Sequence, residues 1–119
     1  MDVIFGSVDM GQSVKNVDLA DSAGLTVWGA SAGDLAGFAV DAARLNEDSA
    51  ADVIIGAFWA SGPGEARPMA GEVYVFHGGR DRRGVIDLAS APPDITIYGA
   101  ASEDRLGEGV AAGDVNGDG

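Results

Sequence analysis

The chain repeats itself. Displaced by 70 residues, positions 27–48 fall on positions 97–118 without a gap. Val27-Trp28-Gly29-Ala30 lies on Ile97-Tyr98-Gly99-Ala100, and Asp34, Gly37, Val40, Ala42, Asn46 and Asp48 lie on identical residues at 104, 107, 110, 112, 116 and 118. A module recurring at such a period is a supersecondary unit that cannot bury its apolar face alone and stacks on its neighbour. The rest of the unit agrees more loosely. Val17-Asp18-Leu19-Ala20 resembles Ile86-Asp87-Leu88-Ala89, and Val3-Ile4-Phe5-Gly6 resembles Tyr74-Val75-Phe76 with the following Gly78. A rival alignment sets Asp2-Val3-Ile4-Phe5-Gly6 on Asp52-Val53-Ile54-Ile55-Gly56. It matches better locally but requires a long deletion afterwards, so the near-constant spacing is preferred.

Within a unit the periodicity is that of β-structure. The runs Asp52–Ala57, Glu72–His77, Ile95–Tyr98 and Gly37–Ala43 are short, β-branched or aromatic, and bounded by glycine. Thr26-Val27-Trp28 occupies the slot of Thr96-Ile97-Tyr98. Pro92-Pro93 excludes helix, and Ser61-Gly62-Pro63-Gly64 reads as a loop that extends through Glu65–Ala70. No stretch carries a sustained helical stripe. With 46% hydrophobic residues and 19 glycines, the composition supports a packed core broken by many tight turns. The expectation is an all-β chain of about four short strands per unit, the pattern of a propeller blade.

Charge narrows the partners. The net charge is −12, from 19 acids against 7 bases. Phosphate contacts need a basic surface, so nucleic acid is not expected, and an anionic membrane surface is equally unsuited. No run approaches the ~18 apolar residues that span a bilayer. The N-terminal Met1-Asp2-Val3-Ile4-Phe5 lacks the basic and apolar regions of a signal peptide. Without cysteine there are no disulfides or thiolate metal sites. An acidic surface does suit divalent cations.

Asp114-Val115-Asn116-Gly117-Asp118-Gly119 sharpens that last point. Three oxygen-bearing side chains alternate along it, and glycine permits the positive φ that a tight metal loop requires. Calcium is a hard ion served by six to eight oxygens. An Asn-Gly hairpin turn would explain Asn116-Gly117 alone, but not the alternating acids. EF-hand and dockerin loops begin similarly, yet need flanking helices that the pattern lacks. The earlier copy reads Arg44-Leu45-Asn46-Glu47-Asp48-Ser49-Ala50-Ala51-Asp52.

These motifs together resemble the FG-GAP repeat, the blade of the integrin α-subunit propeller. Gly107 to Gly119 matches its turn and Asp-x-Asn-x-Asp-Gly loop. Asp52-Val53-Ile54-Ile55-Gly56-Ala57 matches its Asp-Leu-x-x-Gly-Ala strand, with Phe58 where proline is frequent. Gly71-Glu72-Val73-Tyr74-Val75-Phe76 matches its Gly-x-Val-Tyr-Val-Phe strand. The resemblance implies four-stranded antiparallel blades of an incomplete propeller. Residues 1–71 would hold the end of one blade and the start of the next, with a degenerate calcium loop at 44–52. Residues 72–119 would hold a second repeat, cut within its loop at 114–119.

The resemblance further implies metal ligands at loop positions 1, 3, 5 and 9, with a backbone carbonyl at 7. Asp114, Asn116 and Asp118 then occupy positions 1, 3 and 5 of a loop whose closing positions are absent. Asn46, Asp48 and Asp52 occupy 3, 5 and 9 of the degenerate loop, with Arg44 at the first ligand position. Arg44 is expected to replace the metal by pairing with Asp48 or Asp52; a solvated Arg44 without loop closure is the plainer alternative. The calcium implied is structural, and weak or absent in this chain.

The implied role is a non-catalytic scaffold for extracellular or cell-surface interaction and adhesion, facing a protein or glycan ligand and neighbouring blades. The alternatives are an accessory propeller of a larger secreted hydrolase, or a purely structural array. Unpaired strand edges would invite self-association. No nucleophile motif surrounds His77, which is read as a satisfied residue near a turn. Arg80, Arg82 and Arg83 with Asp81 read as a solvated basic turn. Trp28, Tyr98, Phe76 and Phe38 read as packing between blades. Trp59 reads either as a binding hot spot or as a buried edge. No paired carboxylates and no Gly-rich phosphate loop point to an enzyme.

Overall fold

The computed structural model describes residues 1–3, 24–79 and 84–117. Its centre is an antiparallel sheet of four strands, β3 (Ala39–Ala43), β4 (Asp52–Ala57), β5 (Glu72–Phe76) and β7 (Ile95–Tyr98), in the order β3-β4-β5-β7. Each corresponds to one of the short apolar runs bounded by glycine. Among the described residues there is no α-helix, and Pro63–Glu65 forms a single 3-10 turn inside the loop expected there. The chain is all-β.

A second sheet of three strands holds β1 (Asp2–Val3), β2 (Leu25–Trp28) and β6 (Gly84–Asp87) in the order β1-β2-β6. β1 runs antiparallel to β2 with Asp2 opposite Thr26, and β5 runs antiparallel to β7 with Tyr74 opposite Thr96. So β1 lies beside β2 as β5 lies beside β7, and the preferred alignment of the N-terminus, rather than its rival, matches this arrangement to within one residue. The Val17–Ala20 segment lies outside the described residues.

β6 was not foreseen as a strand. It leaves the chain between β5 and β7 and pairs in parallel with β2, Leu25 opposite Gly84 and Trp28 opposite Asp87. Four residues that are mostly exposed carry almost no periodic signal; only the β-branched pair Val85-Ile86 hints at it.

Alternation along β4 and β5 divides the side chains between two apolar faces. Ile55, Ala57, Tyr74 and Phe76 form one core with Leu25, Val27 and Ala60, flanked by Met1, Val53, Ile86 and Leu88. Ile54, Val73 and Val75 form the other, covered by Leu106, Val110 and Ala112. Near-continuous burial along β4 is therefore the mark of a strand covered on both sides.

The 70-residue repeat is also a repeat of backbone conformation. Gly33, Leu35 and Gly37 have φ of 92°, 59° and 92°, and Glu103, Arg105 and Gly107 have 68°, 54° and 90°. The turns close with matching bonds: Asp34 N to Ser31 O beside Asp104 N to Ala101 O, and Phe38 N to Leu35 O beside Glu108 N to Arg105 O. A left-handed conformation costs a non-glycine residue roughly 1–2 kcal/mol. That cost is borne at both Leu35 and Arg105, so packing rather than local preference sets this turn.

The second turn lands on the sheet at Gly56. A Cβ at Gly56 would overlap the Gly107 carbonyl, so only glycine lets the 105–109 turn approach β4 this closely. Gly56→Ala is expected to destabilise the fold by about 1–3 kcal/mol or more. Gly109→Ala, where a Cβ meets nothing within 4 Å, should stay within about 0.5 kcal/mol of the parent. Urea unfolding of the two variants checks the contrast.

Candidate functional site

The loop between β3 and β4 is organised by Asp52, the first residue of β4. Its side chain is fully buried. Oδ2 accepts from Leu45 N at 2.8 Å and Oδ1 from Gly78 N at 2.9 Å, tying the loop to the end of β5. His77 Nδ1 lies 3.4 Å from Asp52 Oδ1 and 3.4 Å from Asn46 Nδ2. Burial alone would raise the Asp52 carboxyl; the Gly78 and Leu45 amides and neighbouring His77 outweigh it and hold it below the usual carboxylate range.

The other candidate ligands of this loop turn to their own backbone. Asn46 Oδ1 accepts from Asp48 N at 3.1 Å, and Asp48 Oδ1 accepts from Ala50 N at 2.8 Å. These are Asx turns, a local use of side-chain oxygen that competes with any shared centre. Asn46 and Asp48 each give one oxygen to an amide two residues on, and Asp52 gives both of its oxygens to the amides of Leu45 and Gly78. Among the described residues no group of three or more His, Cys, Asp or Glu side chains could hold a metal ion.

The expected substitution of the metal by Arg44 is not formed. Arg44 is exposed, and the side chain beside Asp52 is His77 instead, its Nδ1 3.4 Å from Asp52 Oδ1. The physical reason is that Asp52 already has two amide donors in a buried position, leaving no outward-facing acceptor for a guanidinium. His77 is the satisfied residue near a turn that the sequence suggests, but its partner Asp52 is not legible there, because it depends on the β4–β5 pairing, which sets the residue after β5 beside the residue that opens β4.

The terminal loop lies alongside. Asp114 Oδ1 accepts from Gly117 N at 2.7 Å, closing a turn over Asn116. Asp118 lies outside the described residues, as do Arg80, Asp81, Arg82 and Arg83. Ala112 N donates to Asp41 Oδ2 at 2.7 Å, joining two segments one repeat apart. Arg44, Leu45, Asn46 and Glu47 face Gly113, Asp114, Val115 and Asn116 across a cleft of about 510 Å³. The structure therefore brings the two equivalent loops together at one end of the sheet.

A second group of acids gathers where the sequence showed only scattered ones. Asp34 is buried, and burial first, then the charge of Glu65, raises its carboxyl above the usual range against a backbone bond at Ser31. Burial also raises Glu72, helped by Asp34 and Glu65, although the Tyr74 hydroxyl donates to it. Burial, then Glu72 and Asp34, push the Tyr74 hydroxyl up. Trp59 borders this group through the bond from its backbone N–H to the Asp34 backbone O at 3.3 Å.

Trp59 is 46% exposed and stacks edge-on to Phe58, which contacts Phe38 at a centroid distance of 4.6 Å. Of the four aromatics expected to pack between units, only Phe76 lies in the core; Trp28, Phe38 and Tyr98 are exposed. Trp28 and Tyr98 end their strands, beyond the reach of the covering layers. Protein-family models, curated proteins and solved structures offer no match to this chain.

Two outcomes follow from these carboxylates. Asp52→Ala removes the acceptor of two part-buried bonds, from the Leu45 and Gly78 amides, and should cost about 1–3 kcal/mol, whereas Arg44→Ala should be neutral in the same denaturation experiment. Asp34 and Glu72 act in the opposite sense on pH. Unfolded, they ionise near their ordinary 3.8 and 4.5; folded, they ionise higher. Between those values the folded chain binds more protons, so their contribution favours folding at acid pH and is lost as pH rises through the folded values. The double variant Asp34→Asn, Glu72→Gln should flatten that part of the stability–pH profile, measured by thermal melts from neutral pH downward.

Proposed function

We propose that the chain is a non-catalytic repeat scaffold of the FG-GAP propeller kind, each four-stranded sheet acting as one blade. The observation that carries this reading is a pair of equivalent surfaces in different states. Leu25 and Val27 on β2 are 0% and 1% exposed, buried against the Ile55–Phe76 face. Their counterparts one repeat later, Ile95 and Ile97 on β7, are 43% and 49% exposed. Burying such a side chain is worth about 1.5–3 kcal/mol, so an apolar surface covered in one unit and open in the next is the mark of a stacking array. The loops at 44–52 and 113–117 then belong to one rim of the array. The role proposed is adhesion or binding outside the cell, with a protein or glycan as ligand.

Calcium enters at the terminal loop. Asp114 and Asn116, with Asp118, supply only oxygen, the donor set of a hard cation, and the ion would brace the loop rather than do chemistry. Titration calorimetry of the chain with CaCl₂ should give a weak site with Kd on the order of 10⁻³ M. Asp114→Asn should abolish that heat, and Arg44→Asp should leave it unchanged. Equal calcium binding by the parent and Asp114→Asn would falsify the assignment.

A further inference from the structure

The two strands that correspond across the repeat differ in their edges as well as their faces. β2 and β7 each have four residues, share Thr26 and Thr96 at the second position, and take an antiparallel strand on one side. On its other side β2 receives β6 in parallel. Gly84 N donates to Gly24 O at 3.0 Å and Leu88 N to Trp28 O at 3.0 Å. β7 ends its sheet, with no strand beyond it among the described residues.

The backbone of β7 is turned to receive such a strand. Gly99 N donates to Gly71 O at 2.9 Å, so residues 95, 97 and 99 direct their peptide groups toward β5. By the alternation of a strand, Thr96 and Tyr98 direct theirs to the open edge. In β2 the matching pair is Thr26 and Trp28, and the Trp28 carbonyl is one of the groups that β6 engages. The incoming strand also brings Ile86, which packs on the core beside Val27; its equivalent on β7 would fall opposite the half-exposed Ile97.

We propose that the open edge of β7 is an acceptor site for an extended segment of the Gly84-Val85-Ile86-Asp87 type, supplied by another unit of this repeat and added in parallel. The register follows from β2 and β6: Ile95 opposite the glycine, Thr96 opposite valine, Ile97 opposite isoleucine and Tyr98 opposite aspartate. Strand addition of this kind draws affinity from main-chain bonds and specificity from alternate side chains. The chain's own β6 is not the occupant, because β2 already holds it. The link β6 makes is then a stitch between successive sheets, formed once within this chain and open once. The inference rests on the repeat reading only for the equivalence of β2 and β7, and needs no calcium.

The test uses the full chain and a blocked synthetic peptide of residues 84–91, with amide hydrogen exchange followed by NMR. At saturating peptide, exchange at Thr96 and Tyr98 should slow by about tenfold or more, while a peptide of reversed sequence has no effect. Thr96→Pro, whose lost N–H points away from β5, should keep the fold and lose the peptide response. Three results would each overturn the proposal: no slowing at millimolar peptide; slowing at Thr26 and Trp28 alone, meaning that the peptide has displaced β6; or slowing at Thr96 and Tyr98 without peptide that disappears on dilution, meaning that a second copy covers the edge. Failure of the calcium titration would leave this result standing, so the two readings fall separately.

Discussion

A sheet with two apolar faces cannot be left half in water, and the rest of the structure answers that constraint. Ile55, Tyr74 and Phe76 point one way from β4 and β5; Ile54, Val73 and Val75 point the other. β1, β2 and β6 cover the first face, and the returning segment with Leu106, Val110 and Ala112 covers the second. β2 and the returning segment lie on either side of β4 and β5 in sequence, while β6 comes from between β5 and β7. The four-stranded sheet is thus completed by segments outside it, so its stability is shared with them.

Close backbone approach makes the second cover fit. The 101–107 turn repeats the 31–37 turn down to its left-handed residues, although Leu35 and Arg105 pay for that conformation. Gly56 and Gly107 then allow peptide groups to meet where a side chain would hold them apart. A smooth apolar face alone would accept many covers; this turn fixes one position and one register.

At the rim, the same residue types serve two physical ends. An Asp or Asn in a tight loop can give its oxygen to a cation or to an amide two residues on. In the 44–52 loop the amides have it, and Asp52 is anchored by Leu45, Gly78 and His77. Hydrogen bonds, not an ion, hold this loop closed as folded. Near Trp59, by contrast, burial first and then repulsion from neighbouring acids raise the carboxyls of Asp34 and Glu72. Favourable and unfavourable carboxylates therefore sit in one small domain, distinguished by the donors each one finds.

Much of the fold was legible in the residues. The 70-residue offset and the short glycine-bounded apolar runs are properties of the sequence, and they led to the four central strands and their all-β character. β6 was hidden, because an exposed strand of four residues has no period to betray it. So was the partnership of Asp52 with His77, which arises from pairing between strands rather than from spacing along one. The exposure of Trp28, Phe38 and Tyr98 was hidden too, since an aromatic residue looks alike in sequence whether its neighbour is present or not. The sequence by itself determined which segments extend, which turn, and that they recur. Only the tertiary structure decided what each repeated surface meets: Leu25 and Val27 find a covering face, and Ile95 and Ile97 find water, because burial depends on the neighbour and not on the residue.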